Sequence, residues 1–171
     1  MARTVIGKEG IQASLREIAR RAEVGLGTLY RHFPTREALL EALLRQEFDR
    51  LAAEAGHLLT QPAPAEALRT WMGDFVQNSS AFRGLPASML ATLADERSPL
   101  HASCQAMREA GTQLLARAQG AGDIRSDVDG TDLFALVNAV GWVAEQDPTL
   151  ADRREKMLAL VIDALAFRRP D

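Results

Sequence analysis

Apolar side chains recur at spacings of three and four residues from Ser14 to Phe167, and no long segment alternates apolar and polar residues with the β-branched enrichment typical of strands. This periodicity predicts an all-α protein. Glycine and proline clusters divide the chain into predicted helices over roughly residues 14–22, 26–32, 35–56, 64–82, 86–96, 99–119, 131–146 and 149–168.

Length and composition restrict the class of protein. The chain has 171 residues, of which 47% are hydrophobic and 25% are charged, as in an ordinary globular protein. Its single cysteine, Cys104, cannot form an internal disulfide, and with only three histidines we expect no zinc cluster and no other cofactor. We find no signal peptide and no apolar stretch near the ~20 residues that cross a bilayer. The sequence therefore predicts a cytoplasmic protein that does not enter the membrane.

Motifs of the common enzyme classes are missing from the sequence. There is no Gly-x-Ser-x-Gly elbow, phosphate loop, His-Glu-x-x-His pair or paired-carboxylate motif. Gly25-Leu26-Gly27 is too short for a nucleotide-binding fingerprint, and it follows no predicted strand. We therefore predict that the protein is not an enzyme.

The net charge of −3 conceals an uneven distribution. Residues 1–36 carry a net charge of +4, whereas the rest of the chain carries −7. A small cationic segment on an acidic body is typical of a head that binds a polyanion such as nucleic acid.

Residues 14–34 predict two short helices joined by a tight turn. Ser14-Leu15-Arg16-Glu17 fits a capping box, in which the Ser14 hydroxyl accepts from the Glu17 amide and the Glu17 carboxylate reaches back to the Ser14 amide. The second helix follows a turn that contains Gly25, and Leu29 lies on its inner side. Two such helices predict a helix-turn-helix.

The second helix must keep its outer face free if it is to enter a DNA major groove. The positions that point away from Leu29 are Gly27, Thr28, Tyr30 and Arg31. Hydroxyl groups can bond phosphates, the Arg31 guanidinium can reach guanine or a phosphate, and Gly27 lets the backbone approach the bases. His32 and Arg36 lie where a flanking phosphate could be bound, and Thr35 is a suitable N-cap for the next helix.

The same stretch carries a family resemblance. The matching strings are Ser14-Leu15-Arg16-Glu17-Ile18-Ala19, Val24-Gly25-Leu26-Gly27-Thr28-Leu29-Tyr30-Arg31-His32-Phe33 and Arg36-Glu37-Ala38-Leu39-Leu40. Together they resemble the DNA-binding domain of tetracycline-repressor-like (TetR family) transcriptional regulators, over about residues 10–45. The resemblance implies DNA contacts from Ser14, Arg16, Thr28, Tyr30, His32 and Arg36. It implies that bases are read mainly by Arg16, Leu26, Gly27 and Arg31.

The resemblance also implies a domain organisation. We place an N-terminal helix-turn-helix DNA-binding domain at residues 1–48 and a C-terminal antiparallel helical ligand-binding and dimerisation domain at residues 49–171. Family members usually open with a full amphipathic helix, whereas only Met1 to Glu9 precede Gly10 here. We therefore expect a truncated or poorly formed first helix. Either the true start lies upstream, or the DNA-binding domain is less stable.

Two segments near the end of the chain, 133–144 and 157–167, are apolar on nearly all sides. One small domain covers only the inner face of such a helix, so we predict that both pair with their copies in a second subunit. The predicted interface residues are Leu133, Leu136, Val137, Val140, Leu158, Val161, Ile162 and Leu165. The resulting two-fold axis would face a palindromic operator. The alternative is that these are central core helices of a monomer.

The family resemblance further implies a ligand cavity among the helices of residues 64–119. Large flexible or aromatic side chains suit an apolar pocket, and we expect it to be lined by Trp71, Phe75, Met89 and Met107. Candidate polar contacts are Asn78, His101 and Trp142. The expected effector is an unidentified, largely apolar small molecule.

These expectations combine into one function. We expect a ligand-responsive transcriptional regulator, a repressor that binds double-stranded DNA at a palindromic operator as a homodimer and is released by a small molecule. The alternative is a helical small-molecule-binding or scaffold dimer that has lost DNA binding.

Overall fold

The computed structural model describes residues 14–79, 87–146 and 148–166. In these ranges the chain is helical apart from short turns and one isolated antiparallel bridge between Ile124 and Ala166. The helices are α1 (Leu15–Arg21), α2 (Leu26–His32), α3 (Arg36–Leu58), α4 (Pro64–Ser79), α5 (Ala87–Ala94), α6 (Pro99–Gly120), α7 (Gly130–Gln146), α8 (Pro148–Ala151) and α9 (Arg154–Leu165). The all-α prediction is confirmed.

Some expectations fall outside the described residues. The expected truncation of a helix before Gly10 is one of them, and the predicted extension of α4 beyond Ser79 is another. Among the helices that are described, none combines the length and apolarity that crossing a bilayer would require.

The chain divides into two compact units. The described part of the first unit comprises residues 14–48 and 87–104, and that of the second comprises 49–79, 105–146 and 148–166. The sequence analysis places a boundary after residue 48 but does not anticipate that residues 87–104 group with the N-terminal segment. Of the three boundaries between the units, those after residues 48 and 104 fall inside long helices, α3 and α6.

An apolar core holds the helices of the first unit. Its buried members are Ile18 and Ala19 of α1, Leu29 of α2, Leu39, Leu40 and Leu44 of α3, Met89 of α5 and Leu100 of α6. The side chain of Phe33 packs against the same core at its edge. Burial of Leu29 fixes which side of α2 faces inward, as its spacing from Phe33 predicts.

The predicted capping box is wrong in its pairing. Ser14 does cap α1, but its hydroxyl accepts from the Arg16 amide at 3.3 Å and not from the Glu17 amide. The Glu17 carboxylate does not turn back to Ser14, because two guanidinium groups on the same helix bind it. By contrast, the Thr35 hydroxyl accepts from the Ala38 amide at 3.1 Å, which confirms the predicted cap of α3.

Glu17 is the centre of an ion-pair network on the surface of α1. Its Oε1 atom lies 2.6 Å from both Arg20 Nη2 and Arg21 Nε, and its Oε2 atom accepts from Arg20 Nε at 2.8 Å. Hydrogen bonds from Arg20, and then from Arg21, lower the pKa of Glu17 from its ordinary 4.5 to about 2. Because all three side chains are partly exposed, solvent screens much of this attraction.

The turn between α1 and α2 has an unexpected backbone. Glu23 adopts a left-handed conformation with φ of 56°, which glycine tolerates far better than any residue with a side chain. This allows the amide of Val24 to donate to the Ala19 carbonyl at 3.0 Å. Gly25, expected to matter in the turn, has an extended φ of −63° and caps α2 without a side-chain hydrogen bond.

The second unit is built around α4, α7 and α9, which pack against one another. Trp71, Phe75 and Phe134 form an aromatic cluster with ring centroids 5.8 Å apart. Helix α6 approaches this cluster closely at Gly111, where an added Cβ would lie only 2.5 Å from the Trp71 ring. The Trp71 indole Nε1 donates to the Leu51 carbonyl at 2.9 Å, so its polar atom is satisfied although the side chain is fully buried.

The predicted helix over residues 149–168 is broken. Residues 152 and 153 form a turn in which the Arg153 amide donates to the Leu150 carbonyl at 3.0 Å, and α9 begins only at Arg154. Neither glycine nor proline marks this break, so composition does not reveal it. By contrast, Gly122 ends α6 as glycine commonly does: it has φ of 79°, and the Asp123 amide beside it donates to the Ala118 carbonyl at 3.0 Å.

The left-handed conformation of Glu23 predicts that glycine would stabilise this turn. We expect Glu23→Gly to raise the free energy of unfolding by about 0.5–1 kcal/mol, because relief of steric strain exceeds the entropy that glycine loses on folding. Chemical denaturation of both proteins measures the difference. Glu109→Gly, in the interior of α6, is the matched control and should lower the free energy of unfolding by about 1 kcal/mol. A loss of stability in Glu23→Gly would contradict the prediction.

The Glu17 network predicts a pH-dependent contribution to stability. Because folding lowers the pKa of Glu17 from 4.5 to about 2, its contribution is fully present above pH 4.5 and disappears as the pH falls toward 2. We expect Glu17→Gln to lower the melting temperature at neutral pH, by an amount that shrinks below pH 4.5. A difference between wild type and Glu17→Gln that stays constant down to about pH 3 would refute this account.

Candidate nucleic-acid interface and effector cavity

The outer side of α2 is solvent-exposed at every position that the sequence analysis assigns to it. These positions are Gly27, Thr28, Tyr30 and Arg31, and the Tyr30 side chain is 47% exposed although it is large and partly apolar. A Cβ added at Gly27 would meet nothing within 4 Å, so the fold itself does not require glycine there. The exposed backbone at Gly27 is therefore open to approach by another molecule.

Arg31 lies along this exposed side of α2. Its Nε donates to the Gly27 carbonyl and its Nη2 to the Thr28 hydroxyl, both at 3.4 Å. Hydrogen bonds of this length are weak and are readily exchanged for better partners. The guanidinium is thus lightly restrained at the surface and can extend away from the helix.

A concavity of about 510 Å³ opens between the starts of the first three helices. Its lining is Ser14, Leu15, Arg16, Leu26, Tyr30 and Arg36. The structure thereby brings together five of the nine residues predicted to contact DNA. Two guanidinium groups and two hydroxyls converge on it, which is the chemistry that binds a phosphate. His32 is also exposed, and its ring lies beside that of Phe33.

The ion-pair network of Glu17 lies on the same helix as Arg16. The sequence analysis did not identify it as a feature of this surface. The Glu17 carboxylate offsets one of the two positive charges of Arg20 and Arg21, so this part of α1 contributes less to the positive potential than the number of arginines alone implies. The spacing of three and four residues between Glu17 and the two arginines was the available signal.

The structure changes which residues of α7 and α9 face outward. Six of the eight predicted interface residues are already buried within the single chain: Leu133, Val137, Val140, Leu158, Ile162 and Leu165. Leu136 and Val161 are half-buried. The large apolar side chains exposed on these helices are instead Trp142, at 64%, and Leu160, at 59%. A surface offered by α7 and α9 to a partner would therefore centre on Trp142 and Leu160.

The four predicted pocket residues are all buried. Trp71 and Phe75 pack in the aromatic cluster, Met107 lies in the same unit, and Met89 belongs to the core of the first unit. Of the candidate polar contacts, Asn78 donates to the Asp74 carbonyl, His101 Nδ1 contacts the Leu93 carbonyl, and Trp142 is exposed.

A cavity of about 800 Å³ lies elsewhere in the second unit, mainly between α4 and α9. It is lined by Glu54, Arg69, Thr70, Gly73, Asp74, Val76, Gln77, Ala151, Asp152, Arg154, Glu155, Leu158, Ala159 and Ile162. None of the four predicted pocket residues belongs to this lining. Its mixture of apolar and charged groups gives no periodic signal in the sequence, which is why it was not anticipated.

Among the described residues, no group of His, Cys, Asp or Glu side chains could hold a metal ion. The groups available at the concavity near α2 and at the cavity between α4 and α9 are guanidinium groups, carboxylates, hydroxyls and apolar walls. The first place can bind an anionic polymer by its surface. The second can enclose a small molecule.

Comparison with known proteins matches the N-terminal and C-terminal parts of the chain to separate family models. Residues 1–43 match the family model described as bacterial regulatory proteins of the tetR family. Residues 63–167 match the model of the C-terminal domain of SbtR-like transcriptional regulators. Among curated proteins, the transcriptional repressor KstR2 of Rhodococcus jostii is 27% identical over 97% of this chain and 88% of its own length. The repressor KstR of Mycolicibacterium smegmatis is 46% identical over 28% of this chain and 22% of its own length.

Solved structures extend the similarity to nearly the whole chain. A TetR transcriptional regulator of Streptomyces coelicolor is 40% identical, with a TM-score of 0.79 over 98% of this chain and 95% of that one. A TetR regulator of Mycobacterium vanbaalenii is 31% identical, with a TM-score of 0.64 over 96% and 90%. Regulators of this family bind DNA, are dimeric and respond to small-molecule effectors. The chain is a member of the TetR family of transcriptional regulators.

Proposed function

We propose that this protein is a repressor that binds a palindromic operator as a homodimer and is released by a small molecule. The observation that carries the proposal is the surface formed by α1, α2 and the start of α3. There an exposed helix face carries Arg31, next to a concavity with two further guanidinium groups. The curated relatives are named as repressors, which favours repression over activation.

The proposed roles follow from chemistry and exposure. Tyr30 and Arg36 bind phosphates around the concavity, together with the Ser14 hydroxyl, whereas Arg16 reaches a base from the same place. Thr28 and His32 contact flanking phosphates. Bases are read by the exposed side of α2: Arg31 reaches guanine, Gly27 allows close backbone approach, and Leu26 offers an apolar contact beside Arg16.

The proposed dimer forms through the outer sides of α7 and α9. Trp142 and Leu160 are large, apolar and exposed in the single chain, and aromatic side chains are frequent anchors of interfaces. Exposed alanines at positions 135, 139 and 164 flank them and permit close approach of a second pair of helices. A two-fold axis here would present two copies of α2 to one duplex, at a spacing of about one turn of B-DNA or somewhat more.

The proposed coupling uses α3. This helix begins at Arg36, beside the DNA-binding surface, and ends at Leu58 in the second unit. An effector that binds better to the form unsuited to DNA lowers operator affinity by the same factor by which DNA lowers effector affinity.

The rival function is a scaffold or small-molecule-binding dimer without DNA binding. Selection of bound sequences from random duplex DNA discriminates between the two. The repressor requires enrichment of a palindrome and affinity that falls steeply with salt, whereas the scaffold enriches nothing. Failure of the folded protein to enrich any sequence would refute the proposed function.

The proposed roles of Arg31 and Arg36 predict different effects of their removal on DNA binding. Arg31→Ala should cost about 1–3 kcal/mol on the selected operator and relax its preference at one guanine per half-site. Arg36→Ala should weaken all sequences alike and reduce the salt slope by about 1. Fluorescence anisotropy over a range of salt concentrations measures both. Arg20→Gln, whose guanidinium is held by Glu17, is the control and should change affinity little. If Arg31→Ala selects the same motif with equal strength, Arg31 does not read a base.

The proposed role of Trp142 predicts that the dimer dissociation constant depends on this side chain. Trp142→Ser should raise the dimer dissociation constant by about 30-fold or more, as expected for the loss of an aromatic anchor worth about 2 kcal/mol. Analytical ultracentrifugation gives the constant. Leu90→Ser removes an apolar side chain that is similarly exposed, at 55%, on α5 and should leave the constant unchanged. A wild-type protein that stays monomeric at micromolar concentration would contradict the proposed interface.

A further inference from the structure

An ion pair joins α3 to α4 inside the second unit. Arg50 Nη1 of α3 lies 2.7 Å from Asp74 Oδ2 of α4, and the two side chains are 37% and 28% exposed. Asn78, one turn further along α4, donates from Nδ2 to the other carboxylate oxygen of Asp74 at 2.9 Å. Both oxygens of this carboxylate are therefore bound from within the protein, and the bond from Arg50 is the one that crosses between helices.

A second contact between the same two helices is buried. Trp71 Nε1 donates to the carbonyl of Leu51, the residue after Arg50, and the Trp71 side chain is fully buried. A ligand reaches this bond only by unpacking the aromatic cluster, which is costly in a close-packed interior. The partly exposed ion pair is thus the contact that exchanges readily.

Asp74 also lines the cavity between α4 and α9. Thr70, Asp74 and Gln77 are spaced by four and three residues along α4, so they share one face of the helix, and all three belong to the lining. Glu54 of α3, one turn after Arg50, lines the cavity as well. Because Asp74 is partly exposed, a molecule in the cavity can reach its carboxylate without displacing the core.

The charges around the cavity favour a positively charged group. Its lining contains two guanidinium groups, those of Arg69 and Arg154, and four carboxylates, those of Glu54, Asp74, Asp152 and Glu155. The guanidinium of Arg69 is shared with Glu66 and Asp163, which lie outside the lining, each at 3.5 Å. A cation that enters is attracted by the excess of negative charge, and in Asp74 it meets a carboxylate that already binds another cation.

We propose that Asp74 is a positioning residue for DNA binding, and that an effector acts by presenting an ammonium or similar cationic group to its carboxylate. The added cation repels the Arg50 guanidinium and weakens the contact between α3 and α4. Leu158 and Ile162 offer an apolar wall to the rest of the effector.

Helix α3 carries the change toward the DNA. It is continuous from Arg36 to Leu58, and Arg36 lines the concavity near α2. A shift of the second half of a continuous helix reaches its first turn through the hydrogen bonds along it. The effect on DNA rests on the proposed function, whereas the competition at Asp74 does not.

A cation attached beside Asp74 tests the competition without a known effector. Gln77 is exposed, lines the cavity and lies three residues after Asp74, the spacing at which helical side chains meet. In the full-length protein, Gln77→Cys combined with Cys104→Ser leaves one thiol. Aminoethyl methanethiosulfonate attaches an ammonium to it through a disulfide, and propyl methanethiosulfonate attaches a neutral group of the same length. Dithiothreitol removes both groups.

The aminoethyl group should weaken binding to the selected operator about fivefold or more, the change that a partly exposed ion pair supports. The propyl group should change it little, and dithiothreitol should restore the original affinity, which excludes loss of fold as the cause. Asp74→Asn and Arg50→Gln should each weaken operator binding by a similar factor, and the double variant should be no weaker than either. In Asp74→Asn the aminoethyl group should have no further effect.

Two controls match these changes. Asp49→Asn removes a carboxylate from the exposed residue before Arg50 and should change operator affinity little. Ala116→Cys, on the exposed side of α6 and outside the cavity lining, should respond to neither reagent.

Hydrogen exchange followed by mass spectrometry reads the contact between α3 and α4 without DNA. Residues 49–58 of α3 should exchange faster in Asp74→Asn and after attachment of the aminoethyl group, but not after attachment of the propyl group. The proposal is overturned if the two attached groups act alike, or if the aminoethyl group acts equally in Asp74→Asn.

The two readouts separate this proposal from the proposed function. If hydrogen exchange responds while operator affinity stays constant, Asp74 joins the helices but does not position α3 for DNA, and the regulatory half of the proposal fails. If no operator can be selected, the proposed function fails, and hydrogen exchange alone decides the competition at Asp74.

Discussion

Burial of Leu29 is the constraint on which the DNA-binding surface depends. Helix α2 is too short to be stable alone, so its orientation comes from the contacts of Leu29 with the core formed by Ile18, Leu40 and their neighbours. Once that side chain is inward, helical geometry turns Thr28 and Arg31 outward without any further interaction. Leu26 and Phe33 pack against the same core, so apolar contacts on one side of this segment specify which residues are exposed.

This dependence explains why the two short helices α1 and α2 could be predicted from the sequence. Its helices have distinct inner and outer sides, and Thr35 has one local partner to cap. Where several partners compete, local rules failed: Glu17 is within reach of a backbone amide and of two guanidinium groups, and the guanidinium groups win because both partners are charged. The left-handed Glu23 likewise reflects a turn imposed by packing of the helices it joins, against the preference of the residue itself.

The second unit could be predicted only as helical. A helix that is apolar all round, such as α7, gives no indication of which side faces the protein, so the sequence does not show that Leu133 is buried in the single chain while Trp142 is exposed. The cavity was missed for a related reason. Its character depends on which charges are paired, as Arg69 is with Asp163, and a sequence shows charges without showing how they are paired.

Helix α9 lies between the cavity and the proposed dimer surface. Leu158 and Ile162 face the cavity, while Leu160 lies on the opposite side of the same helix and faces the proposed partner subunit. A ligand that filled the cavity would contact a helix of only 12 residues whose other side carries the proposed dimer surface. Because packed interfaces change between discrete arrangements and do not deform smoothly, a small displacement of α9 would alter the pairing of the two subunits in the proposed dimer. In the proposed dimer that pairing would set the spacing of the two recognition helices, which would give effector binding a route to the DNA through the interface as well as through α3.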